Sequence, residues 1–271
     1  MLATVDSVRQ GASFLPRPPE ADEVHVLAMP LDLDRHRRSQ VSACLSRDEW
    51  ERAERFRFAL HRDRFAAARG WLRRILGSCL DVAPERVRLR YGRHGKPELD
   101  AELSRSGLRF NVSHSEGLGL CAVARDREVG VDLERVKPLP DLEAVAHHFF
   151  SRRERSVLQG MRDEERLPGF YACWTRKEAF IKATGEGLAR PLDRFDVSLE
   201  GPARLERVAG DPEEADRWSL VELRPAGGFA AALAVEGPLG RLSVGTVAAE
   251  GREADLRPSG GVPRGGEREA R

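Results

Sequence analysis

Leu118-Gly119-Leu120-Cys121-Ala122-Val123-Ala124, the charged turn Arg125-Asp126-Arg127, and Val129-Gly130-Val131-Asp132-Leu133-Glu134-Arg135-Val136 make up the stretch whose reading decides the fold. Two segments of strand length around a short polar turn predict an antiparallel hairpin. In the second segment Val129, Val131 and Leu133 alternate with Gly130, Asp132 and Glu134. A strand would therefore carry its apolar set on one face and both carboxylates on the other.

Upstream, Val24–Ala28 predicts an opening strand, and Asp48–Cys79 predicts one or two helices from Trp50, Ala53, Phe56, Phe65, Ala68, Leu72, Ile75 and Leu76 at helical spacing. A strand at Val87–Tyr91 leads into the turn Gly92-Arg93-His94-Gly95-Lys96-Pro97, and Phe110-Asn111-Val112-Ser113-His114-Ser115 follows as a strand entering a polar loop. Downstream, Leu142–Phe150 and Arg152–Gln159 read as helices, and Pro168–Thr184 reads as a strong helix stopped by Gly185. Strands at Phe195–Leu199, Trp218–Leu223 and Phe229–Val235 close the order, which predicts an α+β fold with antiparallel sheet. No internal repeat is evident along the chain.

Composition narrows the function. The 271 residues suffice for one large domain or two modest fused ones. Lys plus Arg number 45 against 44 Asp plus Glu, which argues against a general nucleic-acid binder. The longest apolar run, Phe229–Val235, is too short to span a bilayer, and Met1–Pro16 lacks the pattern of a secretion signal. Four scattered cysteines (Cys44, Cys79, Cys121, Cys173) form no metal spacing, so a reduced, cytoplasmic protein is the simplest reading. From Gly251 to Arg271, 16 of 21 residues are Gly, Pro or charged, and such a tail cannot bury enough apolar surface to order itself.

Three constellations carry chemistry. Asp132 and Glu134 side by side repel unless a cation sits between them, and all-oxygen ligands suit Mg²⁺ or Mn²⁺. Alone, Asp-x-Glu reads as a solvated acidic strand face. The second constellation is Trp174-Thr175-Arg176-Lys177-Glu178-Ala179-Phe180-Ile181-Lys182-Ala183-Thr184-Gly185-Glu186-Gly187-Leu188. Here Phe170, Trp174, Lys177 and Ile181 would share one face, with the Lys177 stem lying along it. Glu178 and Lys182 are spaced for a surface ion pair worth about 0.2–0.5 kcal/mol, but a third carboxylate near Asp132 and Glu134 would change the odds, because a magnesium site needs several oxygens. The third is basic: nine Arg and five acids lie between Arg47 and Arg74, with Lys96 in the Gly-rich turn and His114 after Ser113. Such groups can hold phosphates, although any single one also reads as a solvated side chain.

Taken together and in order, Phe110–Ser115, Gly130–Glu134 and Trp174–Leu188 resemble the surfactin-type 4'-phosphopantetheinyl transferases. Arg93-His94-Gly95-Lys96-Pro97 matches that family's short turn, and Phe149-Phe150-Ser151-Arg152-Arg153-Glu154 resembles its connecting segment. The resemblance spans roughly Val24–Val235. It implies a pseudodimer of two similar α+β halves fused in one chain, with coenzyme A in the cleft between them: a flexible N-terminus at 1–22, an N-terminal half at 23–128, a C-terminal half at 129–249 and a disordered tail at 250–271. It implies that Asp132, Glu134 and Glu178 bind Mg²⁺, that Lys182 lies near the phosphates, and that Glu178 helps take the proton from a carrier serine. Lys96, Ser113 and His114 would hold the 3'-phosphoadenosine end, with Arg52, Arg64 and Arg69 as further phosphate contacts. An early basic position of the family falls on Glu49 here, which is a departure. The implied partner is an acyl or peptidyl carrier domain met by a monomer, and the Trp174 form of the signature resembles the subgroup linked to secondary metabolism. Two other readings use the same residues: a Mg²⁺-dependent pyrophosphohydrolase acting on coenzyme A or a nucleotide, and a silent coenzyme A or carrier-binding module.

Overall fold

Strand β1 (Glu23–Pro30) is buried along all but its last residue, and its two faces serve different cores. In this computed structural model, residues 16–247 are described, apart from residues 94 and 226 and the side chain of Leu188. Leu27 and Met29 of β1 join Trp71, Leu72, Ile75 and Leu76 in one core cluster. Val24, Val26 and Ala28 point the other way, onto Val129, Val131, Leu133 and Leu233. Period-2 alternation in an apolar strand thus puts β1 in a helix-backed core and in the seam between two sheets at once.

The first half runs β1, α1 (Arg35–Ser42), α2 (Arg47–Ala53), α3 (Ala59–Leu80), β2 (Leu89–Tyr91), β3 (Pro97–Leu99), β4 (Leu108–Ser115) and β5 (Leu118–Arg125). The second runs β6 (Val129–Arg135), α4 (Leu142–Phe149), α5 (Arg152–Gly160), α6 (Asp163–Thr184), β7 (Phe195–Val197), β8 (Leu205–Val208), β9 (Trp218–Leu223) and β10 (Phe229–Glu236). Each half is a strand, helices ending in one of 22 residues, a short two-stranded ribbon, and two more strands. Sheet order repeats as well: β1-β5-β4 in the first half and β6-β10-β9 in the second. This is the α+β pseudodimer. Strand β11 (Arg241–Thr246) then returns to pair parallel with β1, and Val247 enters the first core.

A repeat hidden in the sequence anchors this symmetry. Ser46-Arg47-Asp48-Glu49 opens α2 and Ser151-Arg152-Arg153-Glu154 opens α5, each with the glutamate reaching back to the N-cap amide, at 3.1 and 2.8 Å. Each glutamate then pairs with the fifteenth residue of the long helix: Glu49 with Arg73 at 2.6 Å, Glu154 with Lys177 at 2.8 Å. Arg73 donates on to Pro84 and Val87 carbonyls, and Lys177 to those of Leu192 and Phe195. Both pairs are sealed from water, so each charge needs its partner. Lys177 shares the buried face with Phe170 and Ile181, as the spacing predicts, and its ammonium is enclosed as well as its stem.

Other expectations are corrected. Strands β5 and β6 do not pair; β5 lies between β1 and β4, and β6 pairs with β10. The hairpin is β4–β5, turning at Glu116 (φ 52°) and Gly117. Asp126, also at positive φ, donates its amide to the Gly107 carbonyl at 2.7 Å, and the chain crosses there into the second half. Helix α6 starts at Asp163 rather than Pro168, helped by Asp163, Glu164 and Glu165 at its electropositive first turn. It ends as expected on Gly185 (φ 74°). Residues 16–22 dock on the fold: Pro16 is buried and its carbonyl accepts from Ser78 Oγ at 2.9 Å. The tail 250–271 lies outside the described residues. All four cysteines are buried and free, and no described helix is long and apolar enough to cross a membrane.

Candidate active site

Gly130 decides how the acidic strand meets α6. A Cβ there would lie 2.1 Å from the Ala179 carbonyl oxygen and 2.4 Å from the Ala183 nitrogen. Only glycine lets the helix backbone settle this closely, and that approach carries Glu178 and Lys182 over the face that bears Asp132 and Glu134.

Asp132 is 2 % exposed. Its Oδ1 accepts from Lys182 Nζ at 2.5 Å and from Ser113 Oγ at 3.0 Å, while Oδ2 is buried with no donor. Glu134 accepts from Ser115 Oγ at 3.1 Å. Burial raises the Glu134 pKa above the ordinary carboxylate value, and the Asp132 charge adds to it. Glu178 is raised likewise, first by burial; Asp132 and Glu134 push the same way and Lys182 opposes. Three carboxylates thus feel one another across a small space, with one ammonium among them. Among the described residues no three side chains are drawn together tightly enough to form a finished metal cage, and Lys182 sits on Asp132. The donor set nevertheless fits a hard divalent cation: all ligands are oxygens, the charge is in excess, and a buried oxygen lacks a partner. Lys182 pairs with Asp132, so the surface pair with Glu178 expected from spacing is replaced by a contact between helix and strand.

Facing this acidic floor is a cationic wall from the first half. Arg52 and Arg69 both stand over the rings of Phe65 and Tyr91, 5.5–5.6 Å from the centroids. Among the described residues neither guanidinium has a carboxylate partner. Burial lowers the Arg69 pKa from its ordinary value; Tyr91 and Glu49 oppose the shift, and the Arg52 and Arg73 charges add to it. His114 reaches solvent at the cleft mouth, yet the walls desolvate its ring, and Lys182, Arg69 and Arg64 add positive charge. Its imidazole is therefore held below its ordinary pKa. Arg64 is engaged, forking onto Asp32 at 2.6 and 2.8 Å. Lys96 donates to Glu128 at 3.3 Å and reaches across the halves to the Ala183 carbonyl at the end of α6 at 3.2 Å.

The structure brings Asp132, Glu134, Glu178, Lys182, Ser113 and His114 to one cleft, with Arg69 and Arg64 close enough to act on His114. Arg52 joins through Arg69 and their shared rings. Glu49, the departing position, is buried and paired with Arg73. Sequence reasoning missed Tyr91, whose ring the two arginines share, and Ser115, which holds Glu134. A groove of about 440 Å³, lined by none of these site residues, opens between Val136, the Pro168–Thr175 face of α6 and the β9–β10 hairpin.

Comparison with known proteins meets this architecture at the same boundary. A family model described as the 4'-phosphopantetheinyl transferase superfamily matches residues 128–234, and one for the 4'-phosphopantetheinyl transferase N-terminal region matches residues 34–125. The chain is 44% identical to the 4'-phosphopantetheinyl transferase HetI of Nostoc sp. over 231 residues, 83% of this chain and 94% of that one. It is 34% identical to the transferase psf-1 of Bacillus pumilus, over 65% of this chain and 75% of that one. With Sfp of Bacillus subtilis the identity is 29%, over 65% and 76%. Likeness at this identity and along nearly the whole of a relative, falling on both halves that build the cleft, establishes that this chain belongs to the 4'-phosphopantetheinyl transferase superfamily.

Proposed function

We propose that Asp132, Glu134 and Glu178 hold one Mg²⁺, with Mn²⁺ as the alternative, beside the pyrophosphate of coenzyme A, and that Arg52, Arg64, Arg69, Lys96, Ser113 and His114 serve its 3'-phosphoadenosine end. The enzyme transfers 4'-phosphopantetheine from coenzyme A to a serine of an acyl or peptidyl carrier protein, releasing 3',5'-ADP. The observation that carries the metal reading is Asp132: sealed from water, one oxygen unpartnered, with two more carboxylates beside it whose ionisation burial already opposes. A bound divalent cation would neutralise charge on the transferring phosphoryl group.

The rest of the chemistry falls to the chain. The carrier serine Oγ attacks the phosphorus nearest the pantetheine, and the bond from that phosphorus to the 3',5'-ADP oxygen breaks. The serine proton passes to Glu178, directly or through one water. Glu178 suits that role by position, a carboxylate held over Asp132 and Glu134 by α6. Lys182, about a third exposed, can leave Asp132 to donate to the departing phosphate oxygen. Arg64 and Lys96 hold internal acceptors for which an anion would compete, whereas Arg52 and Arg69 offer donors already poised on aromatic faces. We read the enzyme as a cytoplasmic monomer, since two halves of one chain complete the cleft and its cysteines are free.

The test is the mass of a panel of carrier domains after incubation with coenzyme A. A gain equal to the phosphopantetheine arm, lost on chelation and restored by Mg²⁺, is expected. Coenzyme A breakdown without a carrier would point to hydrolysis instead, and transfer unaffected by chelation would refute the metal role.

A further inference from the structure

Strands β4 and β6 are each the edge of a sheet, and they meet without forming a ladder. Side chains of β4 take the place of backbone partners. Asn111 Oδ1 accepts from the Val131 amide at 2.9 Å, and Ser115 Oγ accepts from the Arg135 amide at 3.1 Å. Ser113 Oγ lies 3.0 Å from Asp132 Oδ1 and Ser115 Oγ lies 3.1 Å from Glu134 Oε2. Every second residue of β4 from Asn111 onward thus grips β6 in step, and the last two grips fall on carboxylates.

Ser113 and Ser115 are each held from two sides, Ser113 Oγ accepting from the Lys182 ammonium at 3.1 Å and Ser115 Oγ from a backbone amide, so of the two serines only Ser115 is fixed by the main chain of β6. A hydroxyl has one proton to donate. Since the Arg135 amide already fills an acceptor position on Oγ, that proton is directed to the carboxylate. Glu134 Oε2 is therefore tied to β4, which restricts the carboxylate's rotation and leaves Oε1 for a ligand. Ser115 belongs to the first half and Glu134 to the second. Carboxylates that ligate metals are commonly oriented by such partners, and losing one typically costs about 10–100-fold in metal affinity.

We propose that Ser115 is a positioning residue of the metal site: the first half aims a ligand that the second half supplies. This rests on the reading that Asp132, Glu134 and Glu178 hold a divalent cation. The first half then does more than bind coenzyme A; without β4 the acidic strand would carry an unpaired edge and a freely rotating glutamate.

The experiment titrates the full-length protein with Mn²⁺ alone, followed by electron paramagnetic resonance of the free ion, and compares wild type with Ser115→Ala, Ser115→Thr and Asp132→Ala. Thermal melting of each metal-free protein is recorded alongside. Ser115→Ala is expected to weaken Mn²⁺ binding by about 10–100-fold, and Ser115→Thr, which keeps the hydroxyl, to recover most of it. Wild-type affinity in Ser115→Ala while Asp132→Ala loses binding would overturn the proposal and leave the metal site standing. Equal weakening in Ser115→Ala and Ser115→Thr, with equal loss of melting temperature, would assign Ser115 to the joint between the halves and also overturn it. If wild type binds Mn²⁺ no better than Asp132→Ala, the metal reading itself fails and the proposal falls with it.

Discussion

The two halves share one architecture and divide the chemistry. In the first, the helix-facing side of the opening strand carries Leu27 and Met29 and packs on α3. In the second, the equivalent side carries Asp132 and Glu134 and meets Lys182 of α6. The helix position that is Glu178 in α6 is Arg74 in α3, and the position of Lys182 is Ser78. One scaffold thus buries an apolar strand face in one copy and an ionic strand face in the other. What both copies keep is the sealed pair between a capping glutamate and the fifteenth residue of the long helix. The repeated ion pair marks what the fold needs, whereas the unrepeated carboxylates are the ones we propose for the metal.

The sharpest break in the symmetry should be Asp132→Ala. Metal-dependent transfer is expected to disappear while the protein still melts cooperatively, because Lys182 is exposed enough to reach water once its partner is gone. Full activity at ordinary Mg²⁺ would remove Asp132 from the site. The shared feature gives the next effect. Arg73→Met and Lys177→Met each strand a buried carboxylate, and each should cost about 3–5 kcal/mol in denaturant unfolding. A large loss in one half with none in the other would mean that the paired glutamates are not structural equivalents.

These contrasts were only partly legible beforehand. Asp132 and Glu134 could be placed on one strand face because alternation is local, and α6 with its Gly185 stop could be read from the same kind of signal. The partner of β6 could not: Leu118–Ala124 lies next to it in sequence, but β10, with Phe229–Val235, wins because the seam buries Val129, Val131 and Leu133 against the other sheet. The buried ammonium of Lys177 was equally hidden, since its partner Glu154 comes from another helix. The one overlooked local signal was Ser-Arg-x-Glu at 46–49 and again at 151–154, a capping box that marks the repeat. Arg52, Arg69 and Tyr91 meet only through the fold, and no spacing announces that.

Two smaller effects sharpen the comparison. Lys182→Met leaves Asp132 without its cation and should destabilise the metal-free protein by about 1–3 kcal/mol, the cost of an unsatisfied buried polar group. Mg²⁺ should then raise the melting temperature of the variant more than that of wild type, since a ligand bound only by the folded state stabilises it. No loss of stability would show that the Lys182–Asp132 contact is dispensable. His114 provides the mildest test. Its free imidazole is held below the ordinary value, so it is neutral near pH 7, and a phosphate beside it would favour the charged form. Coenzyme A binding should then take up protons, and affinity should fall as pH rises through the free and bound pKa values. Calorimetry in buffers of different ionisation heat measures the uptake; an uptake unchanged in His114→Ala would place the phosphate elsewhere.

The division of labour is tested most directly by single-turnover transfer to a carrier domain, at saturating coenzyme A and Mg²⁺, for Glu178→Gln and for Arg74→Gln at the matching position of α3. Glu178→Gln keeps the shape but removes charge and basicity, and a loss of about 10²–10⁴-fold in rate is expected, the usual scale for a general base. Arg74→Gln should run close to wild type. Comparable rates for the two variants, whether both near wild type or both strongly impaired, would contradict a chemistry confined to the second half.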